Sequence, residues 1–220
     1  MPRILLESCV ETLAAALAAE EGGAGRIELC ASLDVGGVTP PEELVRESVR
    51  RLSIPVFVLV RPAPGSFALA RPELALLLEQ VRRAADLGAA GIVAGALTEA
   101  GTVDGAAVEA ILGAAGPLPM TFHRAFDQIQ DQAAALEELI GLGVKRVLTS
   151  GGAPTAAEGA GRIQALVAQA SGRIGVLAGG SVRAHNAAAL VRPTGVAEIH
   201  SRTPADADGV RALVLAANGA

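Results

Sequence analysis

Five apolar runs in this chain close on residues that could do chemistry: Glu7 and Cys9, Glu28 and Cys30, Arg61, His123 and Arg124, and His200 and Ser201. A strand buried on both faces stays apolar to its end, so a charge, thiol or imidazole finishing each run points to a shared destination. Three chemistries are available there. Glu7, Glu28 and His123 could exchange protons as acid and base. Arg61 and Arg124 could hold an anion, together with Ser150-Gly151-Gly152 and Gly179-Gly180, because glycine lets backbone N–H groups approach an oxyanion closely. Cys30 and Cys9, with His200, offer the soft thiolate and imidazole donors that suit Cu(I) or Zn(II).

Each of these readings has a plainer counterpart. A cysteine taken singly is more often a small buried apolar residue than a ligand. Here there is no Cys-x-x-Cys, no His-x₃-His and no methionine cluster. Arg26 and Glu198 could belong to an ion-pair network that only fills the interior. Arg124 could pair with Asp127, and Gly-Gly pairs serve in ordinary turns. One mechanism is disfavoured outright: Lys145, the only lysine, precedes the sixth strand and stands at the wrong end for a Schiff base.

The elements that must position these groups alternate along the whole chain. Strands are expected at 4–9, 26–30, 56–61, 91–95, 119–123, 146–150, 174–178 and 196–201. Helices are expected at 11–21, from Pro40-Pro41, and at 71–87, 104–115, 131–142, 155–169, 182–191 and from about 206 to the end. Eight βα units with short loops predict a single (β/α)₈ TIM barrel spanning 1–220. Units averaging under 28 residues suggest that one or two outer helices are short or missing.

Alternation along the strands selects what faces inward. In the second strand Ile27 and Leu29 share one face, and Arg26, Glu28 and Cys30 the other. The same parity sends Glu7 and Cys9 inward from the first strand, and Glu198 and His200 from the eighth. In the third strand Phe57, Leu59 and Arg61 line up. The fifth offers either Thr121 with His123 or Phe122 with Arg124. Strands one, two and eight are neighbours in a closed barrel, so their inward residues should form one cluster.

Composition excludes several partners. The chain has 220 residues, a net charge of −5, 51% hydrophobic residues and 2% aromatics with no Trp or Tyr. That argues against nucleic acid, which needs a basic face or stacking rings. The Ala-rich apolar stretches are broken by charge, so no membrane span is expected. No secretory leader is visible, which places the two cysteines in a reducing cytoplasm as free thiols.

Several of these motifs, in order, carry a family resemblance. They are Glu28-Leu29-Cys30, Gly36-Gly37-Val38-Thr39-Pro40, Val60-Arg61-Pro62, Thr121-Phe122-His123-Arg124-Ala125-Phe126-Asp127, Leu148-Thr149-Ser150-Gly151-Gly152 and Glu198-Ile199-His200-Ser201. Together they resemble the CutC copper-homeostasis family over nearly the whole chain. The resemblance implies a cytoplasmic (β/α)₈ barrel, a homo-oligomer, and Cu(I) binding in which the family's cysteine falls on Cys30. It does not supply a reaction. The residues themselves leave two rivals open: an isomerase- or epimerase-like enzyme, or binder, acting on a small anionic metabolite, phosphorylated or not, and a non-catalytic scaffold.

Overall fold

The structure, a computed structural model, describes residues 3–202 and 206–219. Eight parallel strands close into a barrel in chain order. They are β1 (Leu5–Val10), β2 (Arg26–Leu29), β3 (Val56–Leu59), β4 (Gly91–Ala94), β5 (Met120–Phe122), β6 (Arg146–Thr149), β7 (Gly175–Ala178) and β8 (Glu198–Ser201). The helices are α1 (Leu13–Glu21), α2 (Glu42–Arg51), α3 (Arg71–Asp86), α4 (Gly105–Ala115), α5 (Gln132–Leu142), α6 (Ala160–Ala170), α7 (Ala184–Thr194) and α8 (Ala207–Asn218). Of the two alternatives expected for the outer helices, short or missing, none is missing: every strand is followed by one, and the shortest is the nine residues of α1. Economy comes from short strands and from helix-to-strand turns of three or four residues instead. No helix among the described residues is long and apolar enough to cross a membrane.

Local chemistry fixes the helix starts. Thr12, Asp104, Asp131 and Asp206 each accept a hydrogen bond from a backbone N–H of the first turn, opening α1, α4, α5 and α8. At the other end of α5, Gly143 takes the left-handed conformation, with φ +87°, that ends a helix cheaply. The helix expected from Thr155 starts only at Ala160. Residues 155–159 are drawn into turns because Ala156 donates to the Gly180 carbonyl and Gly159 packs against the Ser150 carbonyl.

The strands divide into two faces. Ile27, Leu29, Val58, Ile92, Phe122 and Val147 belong to the main core, between barrel and helices. Cys9, Cys30, Phe57, Leu59 and Val93 form a separate apolar cluster inside the barrel. In β1, Glu7 is in register with Arg26 of β2 and His200 of β8, and Cys9 with Glu28. Parallel pairing of strands one, two and eight thus delivers their polar residues to one interior.

Gly91 has a specific purpose in this arrangement. It lies opposite Phe57 in the β3–β4 register, and a Cβ there would overlap the Phe57 ring. That ring sits between two guanidiniums, 5.0 Å from Arg26 and 5.4 Å from Arg146. Gly91→Ala is therefore expected to destabilise the fold by about 1–3 kcal/mol, the usual cost of forcing atoms into a filled core. Urea unfolding would show it as a lower midpoint at unchanged slope, and an unchanged midpoint would refute it.

Candidate functional site

The interior polar groups form a chain of alternating charge. Arg26 donates from Nε to Glu7 at 2.5 Å and from its terminal nitrogen to Glu198. Arg146 approaches the same Glu198 carboxylate at 2.9 Å. On the other side of Glu7, His200 Nδ1 lies 2.9 Å from Oε1. The same nitrogen lies 3.3 Å from Glu28 Oε2, which is buried and makes no hydrogen bond. Gly179 leaves room for this imidazole, since a Cβ on it would fall 3.2 Å from His200 Cβ.

Burial and pairing set the protonation of this chain. Burial works to raise the Glu7 pKa, but the hydrogen bond to His200 and the charges of Arg26 and His200 outweigh it and bring it down to about 2. Glu28 has weaker support. Burial, reinforced by the neighbouring Glu7 charge, lifts it to about 7 against the pull of His200 and Arg26. Burial would lower the His200 pKa, yet Glu28 and Glu7 together raise it above the ordinary imidazole value. Burial also opposes the Arg26 charge, but Glu7 and Glu198 raise its pKa.

The two thiols lie beside this chain. Cys9 Sγ and Cys30 Sγ are 3.4 Å apart, both free and both buried. Cys30 also donates toward the Val10 carbonyl at 3.4 Å. The hydrogen bond to Cys30, then burial, then the Glu28 charge push the Cys9 pKa well above its ordinary value. One ligand atom from each of Cys9, Glu28 and His200 lies within 4.8 Å of the others. Metal–sulfur bonds of about 2.3 Å would put two thiolates about 3.8 Å apart in a tetrahedral bite. The pair needs to open only slightly to hold an ion. Cys30 stands outside that group of three, so a soft ion would draw first on Cys9 and Cys30, with the His200 ring reached from the Cys9 side and the harder Glu28 carboxylate beside it.

His123 lies elsewhere. Of its two possible settings, β5 places Thr121 inside, within 3.4 Å of Arg146, while Phe122 joins the outer core. His123 follows the strand end and packs on Phe67, ring centroids 4.8 Å apart. Burial and then the Arg61 charge lower its pKa to about 4, so the ring is neutral. Among the described residues no hydrogen bond or ion pair joins it to Glu7 or Glu28. The three residues expected to share acid–base work thus occupy two places, because the loop after β3 folds over the rim and carries Phe67 against His123.

Arg61 also stands beyond its strand. Its guanidinium reaches the carbonyls of Val35, Gly37 and Gly65 at 3.4, 3.0 and 3.0 Å and lies over the Phe67 ring. Arg124 is 2.8 Å from both Asp127 and the Ser150 hydroxyl. Asp127 in turn accepts from the backbone N–H groups of Ser150 and Gly152 and from the Thr149 hydroxyl. Gly151 N–H goes to Thr149 Oγ1. The Ser150 and Gly152 amides therefore already hold a carboxylate, the protein's own. Across the rim, Gly179 N–H donates to the Thr149 carbonyl, and Gly180, at φ +114°, accepts from Ala156.

Two residues of these arrangements escaped the sequence reading, Arg146 as a partner of Glu198 and Phe67 as the ring under Arg61 and His123, and two were placed without their full role: Phe57 as the ring beside Arg26 and Arg146, and Asp127 as the occupant of the glycine loop. Arg146 had a usable signal, since it shares an alternation face with Leu148 at the start of the sixth strand. Phe67 had none, because its position depends on how a proline-rich loop folds back.

A closed ring of eight parallel strands, each followed by a helix, is a TIM barrel, and its interior here gathers two thiols, carboxylates and an imidazole. Residues 4–204 match the CutC family, and the chain belongs to that family. It is 45% identical to a CutC protein of Pasteurella multocida over 195 residues, which are 89% of this chain and 80% of that one. It is 43% identical over 196 residues to the human protein named copper homeostasis protein cutC homolog, covering 89% and 72% of the two chains. The crystal structure of CutC from Streptococcus agalactiae superposes with a TM-score of 0.86 at 35% identity, covering 90% of this chain and 98% of that one. Phosphoribosylanthranilate isomerase from Pyrococcus furiosus, at 17% identity and a TM-score of 0.63, shares the barrel alone.

Proposed function

We propose that this chain acts in copper homeostasis in the cytoplasm and binds Cu(I) through Cys9 and Cys30, with His200 as the third donor. The carrying observation is the 3.4 Å separation of two reduced, buried thiols from adjacent strands. Relatives named for copper homeostasis support the same reading. Two thiolates with an imidazole suit a soft monovalent ion, and the surrounding apolar wall of Phe57, Leu59 and Val93 keeps water and competing hard ions out. Because Cys30, burial and the Glu28 charge hold Cys9 as a thiol, metal uptake there releases a proton and strengthens as pH rises.

The test is competition between purified reduced protein and a chromogenic Cu(I) chelator under anaerobic conditions. Wild type is expected to take one Cu(I) per chain. Cys30→Ser should weaken that binding by at least about 100-fold, the upper range seen when even outer partners of a metal site are removed. Arg61→Ala, at the rim, should leave it unchanged. Retention of tight Cu(I) binding by Cys30→Ser would remove the thiol pair from the function.

A further inference from the structure

A cavity opens past the ends of β3, β4 and β5, and no copper chemistry accounts for it. It is a cavity of about 120 Å³ lined by Val60, Arg61, Pro62, Phe67, Gly95 and His123, with Glu73 at its lip. Arg61 enters it as a cation without an anion: among the described residues no carboxylate lies within ion-pair distance, and its Nε is buried without a hydrogen-bond partner. The three carbonyls that fix its guanidinium supply dipoles and no countercharge. Glu73 is exposed and its carboxylate accepts from the Ala70 N–H at the start of α3, so it serves the helix.

His123 completes the pocket. It is 6% exposed. Its Nδ1 accepts from the Ala125 N–H at 3.3 Å, which puts the ring proton on Nε2. That N–H has no acceptor among the described residues. Gly95 makes the setting possible, since a Cβ there would fall 2.8 Å from the imidazole. A permanent cation and an unpaired donor on a buried imidazole ring thus border one small cavity, each fixed before any ligand arrives. Donors fixed in advance bind an anion with little reorganisation cost.

We propose that this cavity, between Arg61 and His123 with Phe67 as its floor, binds the phosphate or carboxylate group of a small metabolite. Its size admits one oxyanion group and leaves the rest of the molecule outside, well below the span of a whole-ligand pocket. The proposal is independent of copper binding, since none of its residues is a thiol or touches one.

The experiment titrates inorganic phosphate, and separately acetate, into reduced wild-type protein while the imidazole resonances of the three histidines are followed by NMR. Saturable movement of the His123 signals is expected, with an upward shift of its titration as the Arg61 charge is neutralised and His185 unaffected. Saturation by phosphate alone assigns a phosphate group; saturation by acetate alone assigns a carboxylate. Arg61→Ala should weaken binding by about tenfold or more, the scale of one charge-assisted hydrogen bond. Arg61→Lys, which keeps the charge but loses the fork, should weaken it less and guards against a folding defect. No saturable response of His123 to either anion, or undiminished binding by Arg61→Ala, would overturn the proposal.

Discussion

Arg26→Met is expected to cost the fold about 3–5 kcal/mol, the range for breaking a buried ion pair from one side. Arg26 is 4% exposed and Glu7 fully buried. Removing the guanidinium strands Glu7 with only His200 and leaves Glu198 to Arg146 alone. The Phe57 ring also loses one of its two cationic neighbours. Methionine fills much of the same volume, so the loss reports on charge and not on a cavity. Urea unfolding at pH 7 measures it, and adding Glu7→Gln and Glu198→Gln to the same chain should recover a large part. A loss below about 1 kcal/mol would show that the carboxylates escape to water when their partner goes.

The second large effect is with pH. A shift of one pKa unit is about 1.4 kcal/mol of stability. Glu28, raised from 4.5 to about 7, makes the folded state bind more protons across that window, so acidification from 7 to 4.5 stabilises by about 3 kcal/mol. His123, lowered from 6.5 to about 4, makes the folded state bind fewer, so acidification from 6.5 to 4 destabilises by about 3 kcal/mol. The two oppose each other and predict a near-flat profile between pH 7 and 4.5. Glu7, depressed to about 2, contributes stability that is complete above 4.5 and is lost as pH falls through 2, again about 3 kcal/mol. On the alkaline side, His200 stabilises below 6.5 and loses that contribution as pH rises through its raised value. Denaturant titrations from pH 2 to 9 would trace this shape. The decisive variant is His123→Asn, which removes one of the opposing groups and should make stability climb on acidification from 7 to 4.5. A flat profile in that variant would refute a near-neutral Glu28.

The interior cluster was legible in the sequence because strand parity is a strict rule and its strands are adjacent. Glu7 with Cys9, Glu28 with Cys30, and Glu198 with His200 each obey an alternation of two. Closure of eight units then leaves strands one, two and eight side by side. What parity cannot carry is a residue past a strand's end. Arg61 and His123 lie beyond Leu59 and Phe122, where loop conformation takes over, and their meeting over Phe67 has no periodic signature. The loop after β6 was legible in part: the Arg124–Asp127 pair was among the readings, but not the reach of Asp127 into the loop. Ser150-Gly151-Gly152 has the composition of an anion cradle, and its glycines do adopt φ of +73° and +72°. Composition reports the cradle but says nothing of its occupant.

That occupant has a wider consequence. Asp127 is a tethered guest, supplied by the same polypeptide at an effective concentration on the order of millimolar or above. Any phosphorylated visitor to that side of the rim must evict a carboxylate that Arg124 and Thr149 also grip. By plugging one cradle with its own side chain, the barrel turns away the ligands that its fold could otherwise anchor there, and leaves the Arg61 side as the open berth.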